Sequence, residues 1–446
     1  MTTTLLPATT LARKISSRTA TVGVIGLGYV GLPLALLFRE SGFPVTGFDV
    51  DPEKVEALRG GRSYIRHIGP ERVAKAFMAE DGVEKMDATT DFAQLAGCDA
   101  IIVCVPTPLG VHRDPDLSYI RMTADEIAKF LRPGQLVVLE STTYPGTTRE
   151  ELLPRFEAKG LKCGEDFFLA FSPEREDPGN PHFDTKSIPK VVGGMDEASQ
   201  TLAVALYGSA VDEVVAVSSP EVAESAKLLE NIFRAVNIAL VNEMKVVLDR
   251  MGIDVWEVIE AAKTKPFGFM PFYPGPGLGG HCIPLDPFYL SWKAAEHGVW
   301  AKFIELAGEV NTSMPRYVVE KTVEALNEEG KSIRGAKVCV LGLSYKADID
   351  DDRESPSFEL IELFEKRGAE VSYCDPHIPV ARPGRKHDVG LESVPCTPES
   401  LGTFDALVLS TAHSQFREAA LYANARLVVD TRNAVGAGVA ARVVKA

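Results

Sequence analysis

Continuous apolar runs alternate with amphipathic stretches through the first half of the chain. Residues 100–105, 135–139 and 167–171 form three such runs, rich in isoleucine, valine, leucine and phenylalanine. Runs without polar alternation are typical of parallel strands that are buried on both faces. The first two are followed by turns that contain proline and threonine, and doubly wound sheets bind ligands at such strand ends. The pattern predicts an α/β fold.

A long helix is predicted in the middle of the chain. It begins near Ser218, with Pro220 in its first turn and Glu221 in capping-box spacing, and it ends near Arg250, before Gly252. The apolar residues of this segment predict a broad buried stripe, formed by Leu228, Ile232, Ala235, Val236, Ala239 and Leu240. Such a helix is suited to join domains or to pack against a second copy, so we expect a homodimer or a larger homo-oligomer.

A second series of apolar runs begins near Lys337. Its predicted strands are residues 338–342, 370–375, 406–410 and 427–430. The expected architecture is two Rossmann-like doubly wound domains, residues 1–215 and 316–446, joined by a helical central domain, residues 216–315, that contains the long helix.

Composition narrows the class of protein. A chain of 446 residues with 45% apolar content suggests two or three globular domains, and no stretch has the length and apolarity of a membrane span. The net charge of −15 argues against a nucleic-acid partner. The seven cysteines are scattered and show neither CxxC nor His/Cys clustering. We therefore expect reduced thiols, a cytoplasmic location and no metal site.

A glycine-rich turn follows the first predicted strand, residues 21–25, and precedes a helix. It reads Gly26-Leu-Gly28-Tyr29-Val30-Gly31. In a dinucleotide-binding turn the first glycine permits the tight turn, the second lets the pyrophosphate approach, and the third lets helix and strand pack closely. The helix N-terminus adds amides and partial positive charge. The alternative is a structural turn without a cofactor.

The second strand of this unit ends at Asp49. A carboxylate there accepts hydrogen bonds from the adenosine ribose and repels a 2′-phosphate, so NAD is favoured over NADP. The predicted cofactor contacts are Gly26, Gly28, Tyr29, Val30, Gly31, Asp49, Thr107 and Thr142.

The segment Gly275-Pro-Gly-Leu-Gly-Gly-His-Cys-Ile-Pro-Leu-Asp286 surrounds one thiol with glycines. Glycines let the backbone approach a ligand, so Cys282 would be within reach of a substrate carbon as a covalent nucleophile. Asp286 could hold a water or accept a proton. The alternatives are an inert cysteine in a tight loop and a carboxylate that caps the next helix. Adjacent side chains rarely face each other, so His281 is expected to be directed at the backbone.

Lys227 and Asn231 lie four residues apart on the long helix and therefore share a face. A cation and an amide displayed together could stabilise an oxyanion, although a solvated lysine and a surface asparagine are the ordinary alternative. Thr142 and Glu174 follow predicted strands and face the expected cleft, or serve as N-caps and turn residues.

In combination and order, these motifs resemble the UDP-glucose/GDP-mannose dehydrogenase family, whose members oxidise the C6 alcohol of a nucleotide sugar to the carboxylate. The resemblance covers almost the whole chain. It is carried by Gly26 to Asp49, Ser141-Thr-Thr-Tyr-Pro-Gly-Thr147, Ser172-Pro-Glu174, Lys227 with Asn231, Gly279 to Asp286, Gly342 to Lys346, and Asp430-Thr-Arg432.

The resemblance implies roles for individual residues. Cys282 would form a thiohemiacetal and a thioester, while Lys227, Asn231 and Asp286 would handle the oxyanion and the catalytic water. Glu174 and Thr142 would assist around the reacting carbon. The implied contacts with the UDP-sugar are Glu174, Arg175, Lys227, Asn231, Gly279, Lys346 and Arg432.

Two segments resemble the subfamily that acts on UDP-N-acetylhexosamines, especially UDP-N-acetylglucosamine. They are residues 172–180 and the sequence Gly-Gly-His-Cys within residues 275–286, which we call the cysteine loop. UDP-glucose is the alternative substrate, UDP-N-acetylmannosamine is another, and a non-catalytic nucleotide-binding module is an alternative of a different class. An arginine that often precedes the cysteine loop is missing from residues 263–269, where Lys265 could substitute.

Overall fold

The computed structural model describes residues 7–65, 68–78, 86–110, 114–175, 184–280, 282–384 and 387–446, without the side chain of Cys282. The chain forms two compact units. Unit 1 runs to Glu230 and includes Trp292–His297, and unit 2 comprises Asn231–Ser291 and Gly298–Ala446. The predicted division into three domains stays a prediction.

Unit 1 is built on an eight-stranded sheet in the order β3-β2-β1-β4-β5-β6-β7-β8, and only the pairing of β6 with β7 is antiparallel. The order of the first six strands is that of a Rossmann fold. The strands are β1 (Val22–Ile25), β2 (Val45–Phe48), β3 (Asp87–Thr89), β4 (Ala100–Val103), β5 (Leu136–Leu139), β6 (Phe168–Phe171), β7 (Lys190–Gly194) and β8 (Val214–Val217). The apolar runs therefore predicted β1, β2, β4, β5 and β6, but not the other three strands.

Helices cover this sheet and bury its apolar strands. They are α1 (Pro7–Ser16), α2 (Gly31–Glu40), α3 (Pro52–Arg59), α4 (Pro70–Phe77), α5 (Ser118–Phe130), α6 (Leu153–Glu157) and α7 (Glu197–Tyr207), with a 3-10 helix at Phe92–Gly97 and a π-helix at Thr148–Leu152. The core of this unit includes Val22 and Val24 of β1, Leu36 of α2 and Leu206 of α7, all of them buried.

The predicted long helix is α8 (Pro220–Arg250), and α9 (Val255–Ala262) follows it. Its N-terminal cap is Ser219 rather than Ser218, because the Val222 amide donates to the Ser219 hydroxyl at 3.4 Å. Gly252 adopts a φ of +71° just after the helix ends, as a helix stop requires. Leu228, Ala235 and Ala239 are buried as predicted.

The prediction that Leu240 belongs to the buried stripe of α8 is wrong. Leu240 is 55% exposed, and it belongs to a second apolar face with Leu229, Phe233, Met244, Val247 and Met251. The helix is apolar on more than one side, so the apolar pattern alone could not identify the covered side.

Unit 2 contains a five-stranded parallel sheet in the order β10-β9-β11-β12-β13. Its strands are β9 (Lys337–Leu341), β10 (Glu370–Cys374), β11 (Ala406–Leu409), β12 (Leu427–Asp430) and β13 (Arg442–Lys445). Its helices are α10 (Cys282–Glu296, shared with unit 1), α11 (Lys302–Glu328), α12 (Pro356–Lys366) and α13 (Pro398–Leu401). Two 3-10 helices lie at Ser414–Arg417 and Ala419–Tyr422. Alternate residues of β9 enter two separate cores, so both faces of the sheet are buried. The expected pair of Rossmann-like sheets is confirmed.

Cys374 and Cys396 form a disulfide, so the expectation of reduced cysteines is wrong for this pair. The segment before Cys396 pairs with β10, where the Val394 amide donates to the Tyr373 carbonyl at 2.9 Å. This pairing brings the two Cα atoms to 5.8 Å, a separation that a disulfide can bridge. Of the helices in the described ranges, each is too short or too polar to cross a bilayer.

Candidate active site

The glycine turn after β1 has the geometry of a dinucleotide-binding turn. Gly26 has a φ of +89°, which favours glycine. A Cβ at Gly31 would lie 1.9 Å from the Gly26 carbonyl oxygen, so helix α2 packs against the turn without room for a side chain. A Cβ at Gly28 would meet no described atom within 4 Å. The open side of Gly28 therefore fits the approach of a pyrophosphate.

Asp49 stands beside this turn, directly after β2. Its carboxylate accepts hydrogen bonds from the Leu27 amide at 2.9 Å and the Asp51 amide at 3.0 Å. The two oxygens retain further lone pairs for ribose hydroxyls, so the residue fits its predicted role. The ammonium of Lys54 lies 3.5 Å from the same carboxylate and reduces its repulsion of an anion.

Three predicted site residues follow adjacent parallel strands of unit 1. Thr107 comes after β4, Thr142 after β5 and Glu174 after β6, and the sheet brings their backbones to the edge that also carries the glycine turn. Thr107 is buried, whereas Thr142 and Glu174 are partly exposed. The predicted cofactor residues of unit 1 are therefore brought to one edge.

Helix α8 supplies a buried cation near these strand ends. The ammonium of Lys227, only 5% exposed, lies 3.5 Å from the carboxylate of Glu174. Arg175 pairs with Glu230 at 2.7 Å and donates to the Pro189 carbonyl at 2.6 Å. Because Lys227 is buried beside a carboxylate, the reading of a solvated surface lysine is wrong.

Glu224, which was not among the predicted site residues, lies one turn before Lys227 on the same face of α8. Its carboxylate accepts hydrogen bonds from the Gly146 amide at 2.6 Å, the Thr148 amide at 3.0 Å and the Thr148 hydroxyl at 2.7 Å. It thereby holds the loop after β5, which contains Thr142. Burial raises the pKa of Glu224 to about 7, although these three hydrogen bonds favour the ionised form. Its helical spacing from Lys227 was the available signal.

A second missed group lies beneath the same loops. The Lys190 ammonium donates to Glu140 at 2.7 Å and to the Pro173 carbonyl at 3.1 Å, and the Tyr207 hydroxyl donates to Glu140 at 2.5 Å. Glu140 precedes the loop of Thr142, and Pro173 precedes Glu174. The buried ion pair therefore ties both loops together.

In unit 2, Asn231 and Asp286 form a buried pair. The Asn231 amide donates to the Asp286 carboxylate at 2.6 Å, and the two residues are 3% and 2% exposed. Asp286 lies one turn after Cys282, the first residue of α10. Because Asp286 is bound to Asn231, it does not serve only as a turn carboxylate. His281 and the Cys282 side chain lie outside the described residues.

The cysteine loop is held closely on both sides. The Gly275 amide donates to Asn242 at 3.0 Å, and the Gly280 amide to the Arg353 carbonyl at 3.1 Å. A Cβ at Gly279 would lie 2.5 Å from the Cβ of Tyr345, and one at Gly275 would lie 2.3 Å from the Arg432 guanidinium. The glycines therefore let the loop pack directly against the segment that carries Lys346 and against Arg432.

Arg432 is oriented by its own neighbours. Its Nε donates to the Ser410 carbonyl at 2.7 Å. Burial lowers the pKa of Arg432 to about 10, against the influence of Asp430, so the guanidinium is charged at neutral pH and can bind an anion. Lys265, by contrast, is exposed and lies over the ring of Phe267, 5.1 Å from its centroid.

Comparison with known proteins agrees with this geometry. Three models of the UDP-glucose/GDP-mannose dehydrogenase family match in succession: the NAD binding domain over residues 20–211, the central domain over 221–313 and the UDP binding domain over 339–437. The chain is 36% identical to a UDP-N-acetyl-D-glucosamine 6-dehydrogenase of Pseudomonas aeruginosa, over 89% of this chain and 91% of the relative.

Two further comparisons concern UDP-N-acetylmannosamine enzymes. A UDP-N-acetyl-D-mannosamine dehydrogenase of Pyrococcus horikoshii is 35% identical, over 89% of this chain and 90% of the relative. A solved structure of a UDP-D-ManNAc dehydrogenase from Pyrococcus horikoshii superposes with a TM-score of 0.85 at 32% identity, covering 95% of this chain and 98% of that one.

The geometry of the glycine turn predicts that two alanine substitutions affect different properties, one stability and the other NAD binding. Gly31→Ala should destabilise unit 1 by about 1–3 kcal/mol or more, because its Cβ overlaps the Gly26 carbonyl. Gly28→Ala should leave the denaturation midpoint unchanged and weaken NAD binding about tenfold or more, because it fills the open side of the turn. Thermal denaturation and NADH fluorescence titration measure the two effects. Wild-type NAD affinity in Gly28→Ala would contradict the assignment of the turn.

The raised pKa of Glu224 predicts a pH effect on stability. A carboxyl group whose folded-state pKa is raised stabilises the fold below its unfolded pKa, near 4.5, and this contribution is lost as the pH rises through about 7. The stability advantage of the wild type over Glu224→Gln should therefore fall by about 3 kcal/mol between pH 4.5 and 8. Denaturant unfolding at several pH values measures it. The control is Glu221→Gln, since Arg149 helps to lower the pKa of Glu221; its effect should be flat above pH 5. A constant difference for Glu224→Gln would show that this carboxyl group does not titrate near 7.

Proposed function

Because the chain belongs to the UDP-glucose/GDP-mannose dehydrogenase family, and is thus an NAD-dependent UDP-sugar 6-dehydrogenase, we propose that it converts UDP-N-acetylglucosamine to the uronate in two oxidations. The observation that carries the catalytic proposal is the set of buried polar pairs on α8. Lys227 faces Glu174, and Asn231 faces Asp286. Nucleotide binding alone requires neither pair, which argues against a non-catalytic module.

In the first oxidation, Lys227 and Asp286 act on the C6 hydroxyl. A water or base near them takes the hydroxyl proton, and the buried ammonium of Lys227 stabilises the oxyanion. Asn231 orients Asp286 through its hydrogen bond. Thr142 and Glu174 lie beside the reacting carbon. The glycine turn, Tyr29, Val30, Asp49, Thr107 and Thr142 would hold NAD, which would supply the hydride acceptor for this oxidation.

In the second oxidation, Cys282 retains the aldehyde. Its thiolate would add to the C6 carbonyl to form a thiohemiacetal, and a second NAD would supply the hydride acceptor for oxidation of this adduct to the thioester. Water hydrolyses the thioester to the carboxylate and the free thiol. Cys282 begins a 15-residue helix, and the positive end of a helix dipole stabilises a thiolate. This backbone position supports the cysteine as nucleophile.

We propose that the UDP group binds Lys346 and Arg432 in a domain of residues 316–446, and that Gly279 and Arg175 are further contacts with the UDP-sugar. Residues 1–215 would form the NAD-binding domain and residues 216–315 the central one. The charged guanidinium of Arg432 next to the cysteine loop supports this proposal, because it offers an anion a fixed donor.

The relatives also favour a second substrate. Those compared above are named for UDP-N-acetyl-D-glucosamine or for UDP-N-acetyl-D-mannosamine, so the epimer UDP-N-acetylmannosamine is the alternative. UDP-glucose is the third candidate. The resemblance of residues 172–180 and of the cysteine loop to N-acetylhexosamine enzymes favours an acetylated sugar.

We further propose a homodimer in which α8 packs against a second copy. Leu229, Phe233, Leu240, Met244 and Val247 on this helix, and Met251 just after its end, are exposed at heptad-like spacing. A continuous apolar face of this kind is typical of a protein interface. The cytoplasm is the proposed location, and the Cys374–Cys396 disulfide counts against it, since disulfides are rare in that compartment.

A substrate panel tests the proposed reaction. With NAD, UDP-N-acetylglucosamine should be turned over with a higher kcat/KM than UDP-N-acetylmannosamine or UDP-glucose, and absorbance at 340 nm should report two NADH per sugar.

Cys282→Ala should abolish uronate formation, and Lys227→Ala should slow both oxidations about 10²–10³-fold. Preference for another sugar would reassign the substrate, and one NADH per sugar or active Cys282→Ala would refute the thioester route.

The interface prediction concerns the exposed face of α8. Leu240→Glu should convert a dimer into a monomer, because it buries a charge in an apolar contact. Light scattering coupled to size exclusion measures the mass. The matched control is Met122→Glu on α5, which is also exposed but stands outside this face. An unchanged dimer in Leu240→Glu would exclude this face as the interface.

A further inference from the structure

His413 lies at the strand ends of the sheet in unit 2, in the loop after β11. Its side chain is fully buried and faces the loop after β9, which carries Lys346. In the sheet order β10-β9-β11, the neighbours of β9 are reached by connections in opposite directions, and ligands bind at such a switch point. A buried imidazole therefore stands where this sheet is expected to hold its ligand.

The hydrogen bonds of His413 determine which nitrogen carries the proton. Nδ1 accepts from the Asp348 amide at 2.9 Å. Nε2 lies 3.0 Å from the Ser344 hydroxyl and 3.1 Å from the Asp375 carboxylate. The hydrogen of Ser344 goes to the Lys346 carbonyl at 3.0 Å and the Asp375 carboxylate only accepts, so Nε2–H donates to both of these neighbours. The imidazole is therefore neutral in this network, with the proton on Nε2.

This network holds the backbone on both sides of Lys346. His413 reaches the Lys346 carbonyl through Ser344, and it binds the Asp348 amide directly. Asp348 has a φ of +60°, a conformation that non-glycine residues rarely adopt. Its carboxylate accepts from the Ser414 amide at 2.9 Å and the Ser414 hydroxyl at 2.6 Å, which further joins the two loops.

We propose that His413 is a positioning residue for the UDP-sugar, which acts by fixing the segment Ser344 to Asp348 so that Lys346 meets the diphosphate. The proposal rests on the proposed role of Lys346 in substrate binding. A flexible lysine contributes more to binding when its backbone is held, because less conformational freedom is lost as the ligand binds. His413 itself does not need to touch the ligand.

A metal site is the competing interpretation of the same cluster. One ligand atom each from Asp348, His377 and His413 lies within 4.8 Å of the others. However, the Nδ1 lone pair of His413 already accepts the Asp348 amide, and a metal would have to displace that hydrogen bond. The occupied lone pair favours the positioning role.

The test measures UDP binding by calorimetry and separate KM values for the UDP-sugar and NAD. His413→Leu should weaken UDP binding and raise the UDP-sugar KM about tenfold or more, with the NAD KM unchanged and kcat within a few-fold. His413→Asn should recover part of the loss, because its carbonyl can accept from the Asp348 amide. His387→Asn, which removes a histidine bound to Glu362, is the control and should behave as wild type.

A double-mutant cycle separates positioning from general damage. If His413 acts through Lys346, His413→Leu should add little to the loss of UDP affinity already caused by Lys346→Ala. Additive losses, equal effects on the two KM values, or no rescue by His413→Asn would overturn the proposal. Elemental analysis that finds one zinc per chain in the wild type and none in His413→Leu would also overturn the proposal. UDP affinity unaffected by Lys346→Ala would refute the role of Lys346, whereas absent turnover in a wild type that binds UDP would refute only the proposed reaction.

Discussion

The buried polar side chains along α8 are the constraint on which the rest of the functional structure depends. Glu224, Lys227, Asn231, Asn242 and Lys245 are each at most 5% exposed. A buried polar group without a partner costs free energy comparable to a lost hydrogen bond, and a buried charge costs more. The partners of this helix must therefore come to it, and several of them are the segments that carry the candidate chemistry.

Each of these side chains binds a different segment. Glu224 binds the loop of Thr142, Lys227 lies beside Glu174, and Asn231 binds Asp286 one turn after Cys282. Asn242 accepts from the first glycine of the cysteine loop and donates to Asn311. Stability and the geometry of the candidate site are thus linked, because the hydrogen bonds that satisfy the helix also position the loops. The exposed apolar face of the same helix supports the proposal of a second copy.

The two sheets use the ends of parallel strands in different ways. In unit 1 the turn after β1 stays open at Gly28, and Asp49 binds the turn amide of Leu27. In unit 2 the equivalent acid, Asp375 after β10, accepts from the amides of Leu343 and Ser344 and lies next to His413. The second turn lacks two of the three glycines and is occupied by side chains instead. The same fold therefore supports an open glycine turn in one sheet and a lysine-bearing loop in the other.

The sequence by itself determined the strands of both sheets that are long apolar runs, the glycine turn, the long helix and nearly all the candidate residues. These features depend on local spacing and on the backbone freedom of glycine, which neighbouring residues decide. Tertiary structure decided the side of α8 on which Leu240 lies, the partners of Lys227 and Asp286, and the Cys374–Cys396 disulfide. It also decided the contacts of Glu224 and His413. Burial and pairing depend on residues far apart in the chain, and a helix that is apolar on two sides carries no local sign of which side will be covered.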